Sequence, residues 1–350
     1  MAQDEFEKLP EEGQQKKKKK SGCLIMMIVA LVIVLVLLIA AALGLNYVFG
    51  RLGRFENPVQ EGETIAVIPD ETETDPAENV EGLESVDASD VVFETVDVLE
   101  GDVVNIMLIG QDRRPGEDRA RSDSMILVSL NKEKGTIQLT SFMRDLYVQI
   151  PGYLDTRLNA AYRYGGTDLM NETFKVNFGL EIDGNVMVDF DEFTEIIKIV
   201  GGVTLDISSA EAKYMNNVSD NHFSAGSNYF NAEDALSFTR MRYAAGGDYG
   251  RTDRQRRVIM AIAYSLRDAD LVTIFNLIDQ VLPHIVTNLT DAQIIEYATT
   301  GLGILANGGE IGTFRIPQDD AHYNANIRGM SVLVPNLEMC REDLQEVIYK

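Results

Sequence analysis

An uncharged apolar segment near the N-terminus constrains this chain more than any other feature. Ser21 to Gly50 contains no charged residue, and Cys23 to Leu45 is almost entirely Leu, Ile, Val, Ala and Met. About 20 apolar residues form a helix long enough to cross a bilayer. Five lysines, Lys16–Lys20, precede the segment, and only two arginines follow it closely. Because basic residues favour the cytoplasmic side, the sequence predicts a cytoplasmic N-terminus at 1–21 and a transmembrane helix at 22–49.

This topology places everything after residue 50 outside the cell, with the cell membrane as a partner. A cleaved signal peptide is the alternative, since Ala40-Ala41-Ala42 is typical of a cleavage site. Signal cores span only about 7–15 apolar residues, so the longer run here favours a permanent anchor. The lysines would add attraction to anionic lipid headgroups.

An acidic segment follows the apolar one. Between Glu56 and Asp102 there are sixteen acidic residues and neither lysine nor arginine. Such a segment repels itself and buries too little surface to fold, so 50–98 is predicted to be an extended extracellular linker. A short apolar stretch at Val91–Val98 is a candidate edge strand that leads into the domain. The remainder, 99–350, is predicted to be the folded domain.

Within 99–350, short apolar runs alternate with segments of helical periodicity. Strands are predicted at Val103–Ile109, Met125–Leu130, Thr136–Phe142, Val186–Phe190, Val203–Ile207, Phe314–Ile316 and Val332–Val334. Helices are predicted at Asp168–Phe178, Asp191–Val200, Asn231 to Arg240, about Asp248 to Leu266, Ala292–Leu305 and Arg341–Tyr349. This alternation predicts an α/β sandwich built around a mixed sheet.

Six arginines lie between Arg240 and Arg257, in a chain whose formal net charge is −24. Arginine presents a fixed fork of donors that matches phosphate oxygens, so the cluster indicates a small polyanionic ligand. Arg240 and Arg242 are two apart and share a direction only in extended chain. On the helix that follows, Arg251 and Gln255 are four apart and share a face that becomes apolar further along. Polar groups at the start of a buried face indicate a binding site, so both are candidate ligands.

The other arginines of that helix, Arg254, Arg256 and Arg257, lie elsewhere around it. Ordinary surface charge is the alternative for some of them, because exposed faces of helices are usually charged.

Two carboxylates flank the first turn of the predicted sheet. Asp112 follows one strand and Asp123 precedes the next. Ligands in α/β folds collect where loops leave the carboxyl ends of strands. Two carboxylates there suit Mg²⁺, which completes its shell with water and phosphate oxygens. Surface aspartates in a polar loop are the alternative, but the arginines between them, including Arg121, favour the metal.

Arg144-Asp145 directly follows another strand, and Arg157 and Asn159 come soon after it. A buried ion pair is the alternative explanation of Arg144-Asp145. The sequence contains no recognisable Ser-His-Asp or Cys-His arrangement, and its three histidines lie outside every cluster. Positioning and charge neutralisation remain as catalytic strategies, and these are the strategies of phosphoryl transfer. The sequence does not identify a general base.

These motifs, in this order, resemble the LytR-CpsA-Psr family of bacterial envelope phosphotransferases. The matching segments are Gly110–Arg114, Arg121–Met125, Ser141–Asp145, Arg157–Tyr162, Arg240–Arg242 and Asp248–Arg251 with Gln255. The resemblance implies a three-layer α/β/α sandwich with a mixed central sheet, preceded by one transmembrane helix and the acidic linker. The chain departs from the family pattern at Met143, where many members carry proline.

The resemblance also implies a reaction. A polyprenyl-pyrophosphate-linked glycopolymer, of the teichoic acid or capsular polysaccharide type, would be transferred to a peptidoglycan acceptor. Asp112 and Asp123 would hold Mg²⁺ as the cofactor. The implied catalytic residues are Asp112, Arg121, Asp123, Arg144 and Asp248. The implied pyrophosphate ligands are Arg144, Arg157, Asn159, Arg240, Arg242, Arg251 and Gln255.

Two alternatives to a transferase remain open. A non-catalytic factor that binds lipid-linked glycans would keep the arginines without needing both carboxylates, and both are present. A hydrolase that releases the polymer to water is chemically adjacent. A nucleic-acid partner is disfavoured, because the domain is predicted to be outside, acidic overall and without a helix-turn-helix signature.

Overall fold

The computed structural model describes residues 53–54, 82–94, 96–111, 121–241, 246–267 and 269–350. All of these belong to one unit of the chain, Leu52–Lys350. The cytoplasmic segment and transmembrane helix predicted at 1–49 lie outside the described residues. In the ranges given above, no helix combines the length and the apolar character that a membrane span requires.

The strands, labelled in chain order, are β1 (Gly53–Arg54), β2 (Glu84–Ser85), β3 (Val103–Gln111), β4 (Ser122–Asn131), β5 (Thr136–Phe142), β6 (Tyr147–Val148), β7 (Thr156–Arg157), β8 (Gly184–Asp189), β9 (Val203–Ile207), β10 (Gly226–Phe230), β11 (Val286–Thr287), β12 (Ile311–Ile316), β13 (His322–Ile327) and β14 (Met330–Pro335). The helices are α1 (Ala160–Phe178), α2 (Phe190–Ile199), α3 (Ser209–Val218), α4 (Ala232–Arg240), α5 (Gly247–Ser265), α6 (Leu271–Val281), α7 (Asp291–Ala306) and α8 (Leu337–Leu344).

A seven-stranded sheet forms the centre of the fold, in the order β1-β11-β8-β3-β4-β5-β12. β3 and β8 are parallel, and so are β5 and β12, whereas β4 runs antiparallel to both β3 and β5. The sheet is therefore mixed, and the mixed α/β fold predicted from the sequence is confirmed. β4 and β5 form a hairpin, and Gly135 in its turn has a φ of 65°, a conformation that favours glycine.

Two apolar cores lie on opposite faces of this sheet. On one face Met125 packs in a cluster with Phe174 of α1 and Leu344 of α8. On the other face the next residue, Ile126, packs in a cluster with Ile304 of α7. Because successive side chains of a strand point to opposite faces, a strand covered on both sides is apolar almost throughout. Helices thus cover both faces of the sheet.

A smaller module follows β8. The antiparallel hairpin of β9 and β10 packs with α2, α3 and α4 around Met215, Phe230 and Phe238. The Asn231 side chain accepts a hydrogen bond from the backbone N–H of Asp234 at 2.9 Å and thereby caps α4 at its predicted start. β10 was not predicted, because its five residues are mostly polar and lack a strand-like alternation.

The chain before residue 99 contributes to the fold. β2 pairs with β13, and the side chains of Val86, Val91 and Phe93 pack against a core on the β13–β14 hairpin. The segment predicted as linker at 50–98 therefore includes folded chain from Gly82 onward. The edge strand expected at Val91–Val98 is not a strand among its described residues. The apolar residues of this segment contact a distant hairpin, which a local sequence pattern does not reveal.

Two helices differ from their predicted bounds. α1 begins at Ala160, before the predicted start, and Gly165 and Gly166 interrupt it with non-helical backbone angles. α8 begins at Leu337 because the Asn336 side chain accepts a hydrogen bond from the backbone N–H of Met339 at 3.1 Å. A π-helical turn follows α8 and ends at Tyr349.

Candidate active site

The described members of the predicted site gather around one edge of the central sheet. The parallel strands β3 and β8 end at this edge with Gln111 and Asp189. β5 and β12 end at the same edge with Phe142 and Ile316, and the antiparallel β4 begins there with Ser122. Four strands thus end and one begins at the same edge of the sheet, which is where α/β folds place ligand sites.

Asp123 is the extra residue of a β-bulge at this edge. Gly110 of β3 pairs with Ser124, whereas Gln111 pairs with Ser122, so Asp123 lies between two paired residues. A bulge leaves one residue outside the regular pairing and redirects its side chain. The Asp123 side chain remains 28% exposed. The bulge therefore presents a carboxylate at the sheet edge, where regular alternation would have directed it to one face.

Arg144 reaches Asp123 from the end of β5. Its Nη1 donates to Asp123 Oδ1 at 2.6 Å, and its Nε lies 3.6 Å from Asp145 Oδ2. The Arg144 side chain is 11% exposed. Burial lowers the pKa of Arg144, but the carboxylates of Asp145, Asp123 and Asp248 together raise it above its ordinary value. The ion pair between Arg144 and Asp145, which was the alternative explanation from the sequence, is present. Arg144 also pairs with Asp123 on β4.

Arg157 and Asn159 lie behind Arg144. Arg157 Nε and Nη2 donate to the Ser331 carbonyl at 3.1 and 2.7 Å, and Nε is 3.7 Å from Asp145 Oδ1. Asn159 donates its backbone N–H to the Arg144 carbonyl at 3.2 Å. Both residues are buried, at 6% and 3% exposed. Arg157 and Asn159, which were predicted to be pyrophosphate ligands, thus hold the Arg144-Asp145 turn in place.

Helix α5 brings a second arginine to Asp123. Arg251 Nη2 donates to Asp248 Oδ2 at 3.1 Å and to the Asp123 backbone carbonyl at 3.3 Å. Arg251 is 4% exposed. One turn further, Gln255 Oε1 accepts a hydrogen bond from Ser124 Oγ at 3.0 Å. Arg251 and Gln255 therefore share a face of α5, as their four-residue spacing predicted, and that face meets the start of β4.

The remaining arginines of α5 are not ordinary surface charge. Arg254 and Arg257 approach Glu211 of α3 at 3.6 and 2.8 Å, and Arg254 also donates to the Met241 carbonyl. Arg254 and Arg256 are 1% and 6% exposed, and burial lowers the pKa of each. Arg254 and Arg257 therefore connect α5 to the smaller module.

Arg240 lies near the β8 end of the same edge. Its guanidinium carbon is 4.6 Å from the centroid of the Phe190 ring, and Phe190 directly follows β8. An aromatic face at this distance holds the cation in place without neutralising it. Arg121 directly precedes β4. The predicted ligands Asp112 and Arg242 lie outside the described residues.

Sequence reasoning missed a tyrosine and a histidine beside these groups. Tyr249 follows Asp248 on α5, and its hydroxyl lies 2.8 Å from His322 Nε2. Arg315 of β12 places its guanidinium carbon 3.9 Å from the centroid of the Tyr249 ring. Tyr249 and His322 are 73 positions apart in the chain. No local motif joins them, so the sequence offered no signal for this contact.

The side chains at this edge are of the kind that hold Mg²⁺ together with water and phosphate, rather than of the kind that enclose a metal entirely with protein ligands. Within the described part of the chain, no three His, Cys, Asp or Glu side chains are grouped closely enough to enclose a metal. Mg²⁺ is typically held by one or two carboxylates, with waters and substrate phosphates as the other ligands. The partly exposed carboxylate of Asp123 is a ligand of this kind, and in the sequence Asp112 directly follows the strand beside it.

The fold and this edge define an α/β domain in which arginines from two different elements gather at one edge of the central sheet. Arg144 and Arg251 arrive on different elements, and both contact Asp123. The chain belongs to the LytR_cpsA_psr family, whose model matches residues 70–346. The family resemblance recognised in the sequence motifs is thereby confirmed.

Named relatives support this membership. The chain is 32% identical over 231 residues to the polyisoprenyl-teichoic acid–peptidoglycan teichoic acid transferase TagU of Bacillus cereus, covering 65% of this chain and 72% of TagU. It is 29% identical over 280 residues to the corresponding transferase TagV of Bacillus subtilis, covering 77% and 70%. The crystal structure of B. subtilis TagV matches with a TM-score of 0.58 at 28% identity, over 72% of this chain and 99% of that one.

Proposed function

We propose that this chain is a membrane-anchored, extracellular phosphotransferase that moves a polyprenyl-pyrophosphate-linked glycopolymer onto peptidoglycan. The relatives named above are transferases, and this chain belongs to the same enzyme class. The observation that best supports the proposal is the convergence of Arg144 and Arg251 on Asp123. Two fixed guanidinium groups at a sheet edge match the several oxygens of a pyrophosphate.

The reaction exchanges one P–O bond for another. A sugar hydroxyl of peptidoglycan attacks the phosphorus bonded to the glycopolymer, and polyprenyl phosphate leaves. Negative charge builds on the bridging and terminal oxygens of the pyrophosphate in the transition state. Arg144 and Arg251 stabilise that charge, and groups that are already oriented do so without the cost of reorganisation.

Neighbouring residues fix the two arginines before substrate arrives. Asp248 pairs with Arg251 at 2.9 Å, and Asp145 lies between Arg144 and Arg157. These pairs hold each guanidinium in one orientation. Ser124 donates to the amide oxygen of Gln255, so the Gln255 NH₂ group is the donor that remains for a phosphate oxygen.

The remaining predicted ligands would complete the site. Asp112 and Asp123 would hold Mg²⁺, which when bound supplies a Lewis acid that neutralises pyrophosphate charge. Arg121, Arg240 and Arg242 would add cations around the same anion, and the exposure of Arg240 leaves its guanidinium accessible.

The proposed anchor explains how the enzyme meets its donor. A helix at 22–49, with 1–21 in the cytoplasm, would keep the catalytic domain outside the cell beside the membrane. The polyprenyl chain of the donor is itself lodged in that bilayer. Confining enzyme and donor to one surface raises their effective concentration for each other.

A transfer assay with the full chain tests the proposal. The protein, in detergent micelles with Mg²⁺, is given a radiolabelled polyprenyl-pyrophosphate-linked disaccharide and a peptidoglycan fragment. The proposal predicts a labelled glycan–peptidoglycan phosphodiester and release of polyprenyl phosphate. Label released only as a free sugar phosphate would identify a hydrolase instead. Binding of the donor without any product, across several donor glycans, would indicate a non-catalytic binding factor.

Matched variants link the product to the site. Asp123→Asn keeps the shape of the side chain but removes the charge, and it should abolish transfer. Asp220, an exposed aspartate of the smaller module, provides the control. Asp220→Asn should transfer at the wild-type rate, so equal losses in both variants would show that the effect does not come from the site.

A further inference from the structure

We propose that Tyr249 and His322 form a proton relay that removes the proton from the attacking sugar hydroxyl. This inference rests on the proposed transfer reaction and assigns it the general base that the sequence did not identify. Tyr249 would contact the acceptor hydroxyl and is the catalytic residue of the pair. His322 lies behind Tyr249 and receives the proton through it.

Hydrogen bonds fix the direction of this relay. His322 Nδ1 lies 2.8 Å from the Gln318 carbonyl oxygen. A carbonyl can only accept, so Nδ1 carries the hydrogen, and in the neutral ring Nε2 is the acceptor. Nε2 is 2.8 Å from the Tyr249 hydroxyl, which therefore donates to it. The Tyr249 oxygen keeps its lone pairs for a proton from another hydroxyl.

The relay lies next to the pyrophosphate ligands. Tyr249 adjoins Asp248, which pairs with Arg251 at 2.9 Å. Burial raises the pKa of Tyr249 most, and the nearby carboxylates of Asp248 and Asp145 raise it as well. Tyr249 and His322 are both partly exposed. A substrate hydroxyl can therefore reach Tyr249, and His322 can return its proton to solvent.

Burial and the nearby carboxylates keep the phenol protonated at rest. Burial is the largest influence and raises the pKa of Tyr249; Arg315 opposes it, while Asp319, Asp248 and Asp145 raise it further. Arg315 is stacked on the ring, and its Nη2 is held by Asp319 at 2.5 Å. Tyr249 therefore passes the proton on as a neutral phenol, and the His322 imidazole is the base.

The step conserves atoms and charge. The acceptor oxygen forms a bond to phosphorus while the bond from phosphorus to the bridging oxygen breaks. The acceptor proton moves to the Tyr249 oxygen as the Tyr249 proton moves to His322 Nε2. The products are polyprenyl phosphate, the new phosphodiester, an unchanged phenol and an imidazolium, which then loses its proton to water.

Two conservative substitutions in the full chain test the relay in the transfer assay described above. Tyr249→Phe removes only the hydroxyl and keeps the ring beneath Arg315. His322→Gln removes the titrating ring but leaves a polar side chain. Positioned acid–base groups contribute about 10²–10⁴-fold, so each variant should lose about 100-fold in kcat while the donor KM is unchanged. Tyr323→Phe and His222→Gln alter exposed residues and serve as matched controls.

The pH profile separates a relay from a structural role. Only the neutral imidazole can accept a proton, so a protonated His322 cannot serve as the base. The wild-type kcat should therefore fall on acidification, and both variants should lose that dependence. Wild-type kcat in Tyr249→Phe, or an unchanged acidic limb in either folded variant, overturns the relay. If His322→Gln does not fold, Tyr249→Phe decides alone. Failure of the wild-type chain to transfer at all would refute the proposed function and, with it, the relay.

Discussion

Replacing Arg144 with alanine tests whether the arginines act on the reaction or only on the fold. Arg144 donates to Asp123 at 2.6 Å and lies 3.6 Å from Asp145. Arg144→Ala deprives both carboxylates of this cation. Removing one member of a buried ion pair costs about 3–5 kcal/mol, and a charged hydrogen bond contributes about 1.5–3 kcal/mol.

The structure indicates the lower part of that range. Asp123 is 28% exposed and can be solvated by water, and Asp145 keeps Arg157 at 3.7 Å. The free energy of unfolding should therefore fall by about 2 kcal/mol, which lowers the Tm of a domain of this size by about 4–8 °C. Domains are typically stable by about 5–15 kcal/mol, so the variant stays folded at 25 °C.

Its activity should fall much further than its stability. Loss of one preorganised donor to a developing oxyanion typically lowers kcat by about 10²–10³-fold. Thermal denaturation followed by circular dichroism gives the Tm, and the transfer assay at 25 °C gives kcat. Arg267→Ala, at an exposed arginine just after α5, is the control and should match the wild type in both measurements. A folded Arg144→Ala protein with near-normal kcat would refute the reasoning.

Three further predictions concern stability, positioning and the metal. Burial raises the pKa of Glu211, but hydrogen bonds from Ser208 and the charge of Arg257 lower it overall, so its contribution to stability exists at neutral pH and is lost as pH falls through the lowered value. The free energy of unfolding of Glu211→Gln should therefore be about 2–3 kcal/mol lower than that of the wild type at pH 7. In urea titrations this difference should narrow below about pH 4. An equal difference at pH 3 would contradict the prediction. Asp248→Asn weakens the 2.9 Å ion pair with Arg251 and should lower kcat about 10²-fold without changing the Tm by more than a few degrees, and unaltered kcat would show that Arg251 needs no such support. EDTA should abolish transfer and excess Mg²⁺ restore it, so a rate that survives chelation would exclude a required metal.

The sequence predicted which side chains lie together wherever a single element determines the geometry. Helix register alone places Arg251 and Gln255 on one face, and the structure brings both against adjacent residues of β4. The end of the strand at Phe142 was also predictable from nearby residues, because the charged pair Arg144-Asp145 follows it closely. Local periodicity is sufficient for such features.

Features that depend on distant partners were not predictable. The bulge at Asp123 exists only in the pairing of β4 with β3. The burial of Arg254 depends on Glu211 in the smaller module. The contact between Tyr249 and His322 requires β12 and β13 to return beside α5. The spacing of nearby residues predicts none of these three features, because each depends on how distant segments are brought together by the topology.

The fate of the acceptor oxygen tests the central claim most directly. A peptidoglycan fragment carrying ¹⁸O in its acceptor hydroxyl is incubated with the full chain, Mg²⁺ and the lipid-pyrophosphate-linked disaccharide. Attack of that hydroxyl on phosphorus predicts a phosphodiester that retains the ¹⁸O between sugar and phosphorus, detected by mass spectrometry and ³¹P NMR. A product whose phosphate carries no label from the acceptor, but takes up oxygen from H₂¹⁸O, would contradict transfer and establish hydrolysis.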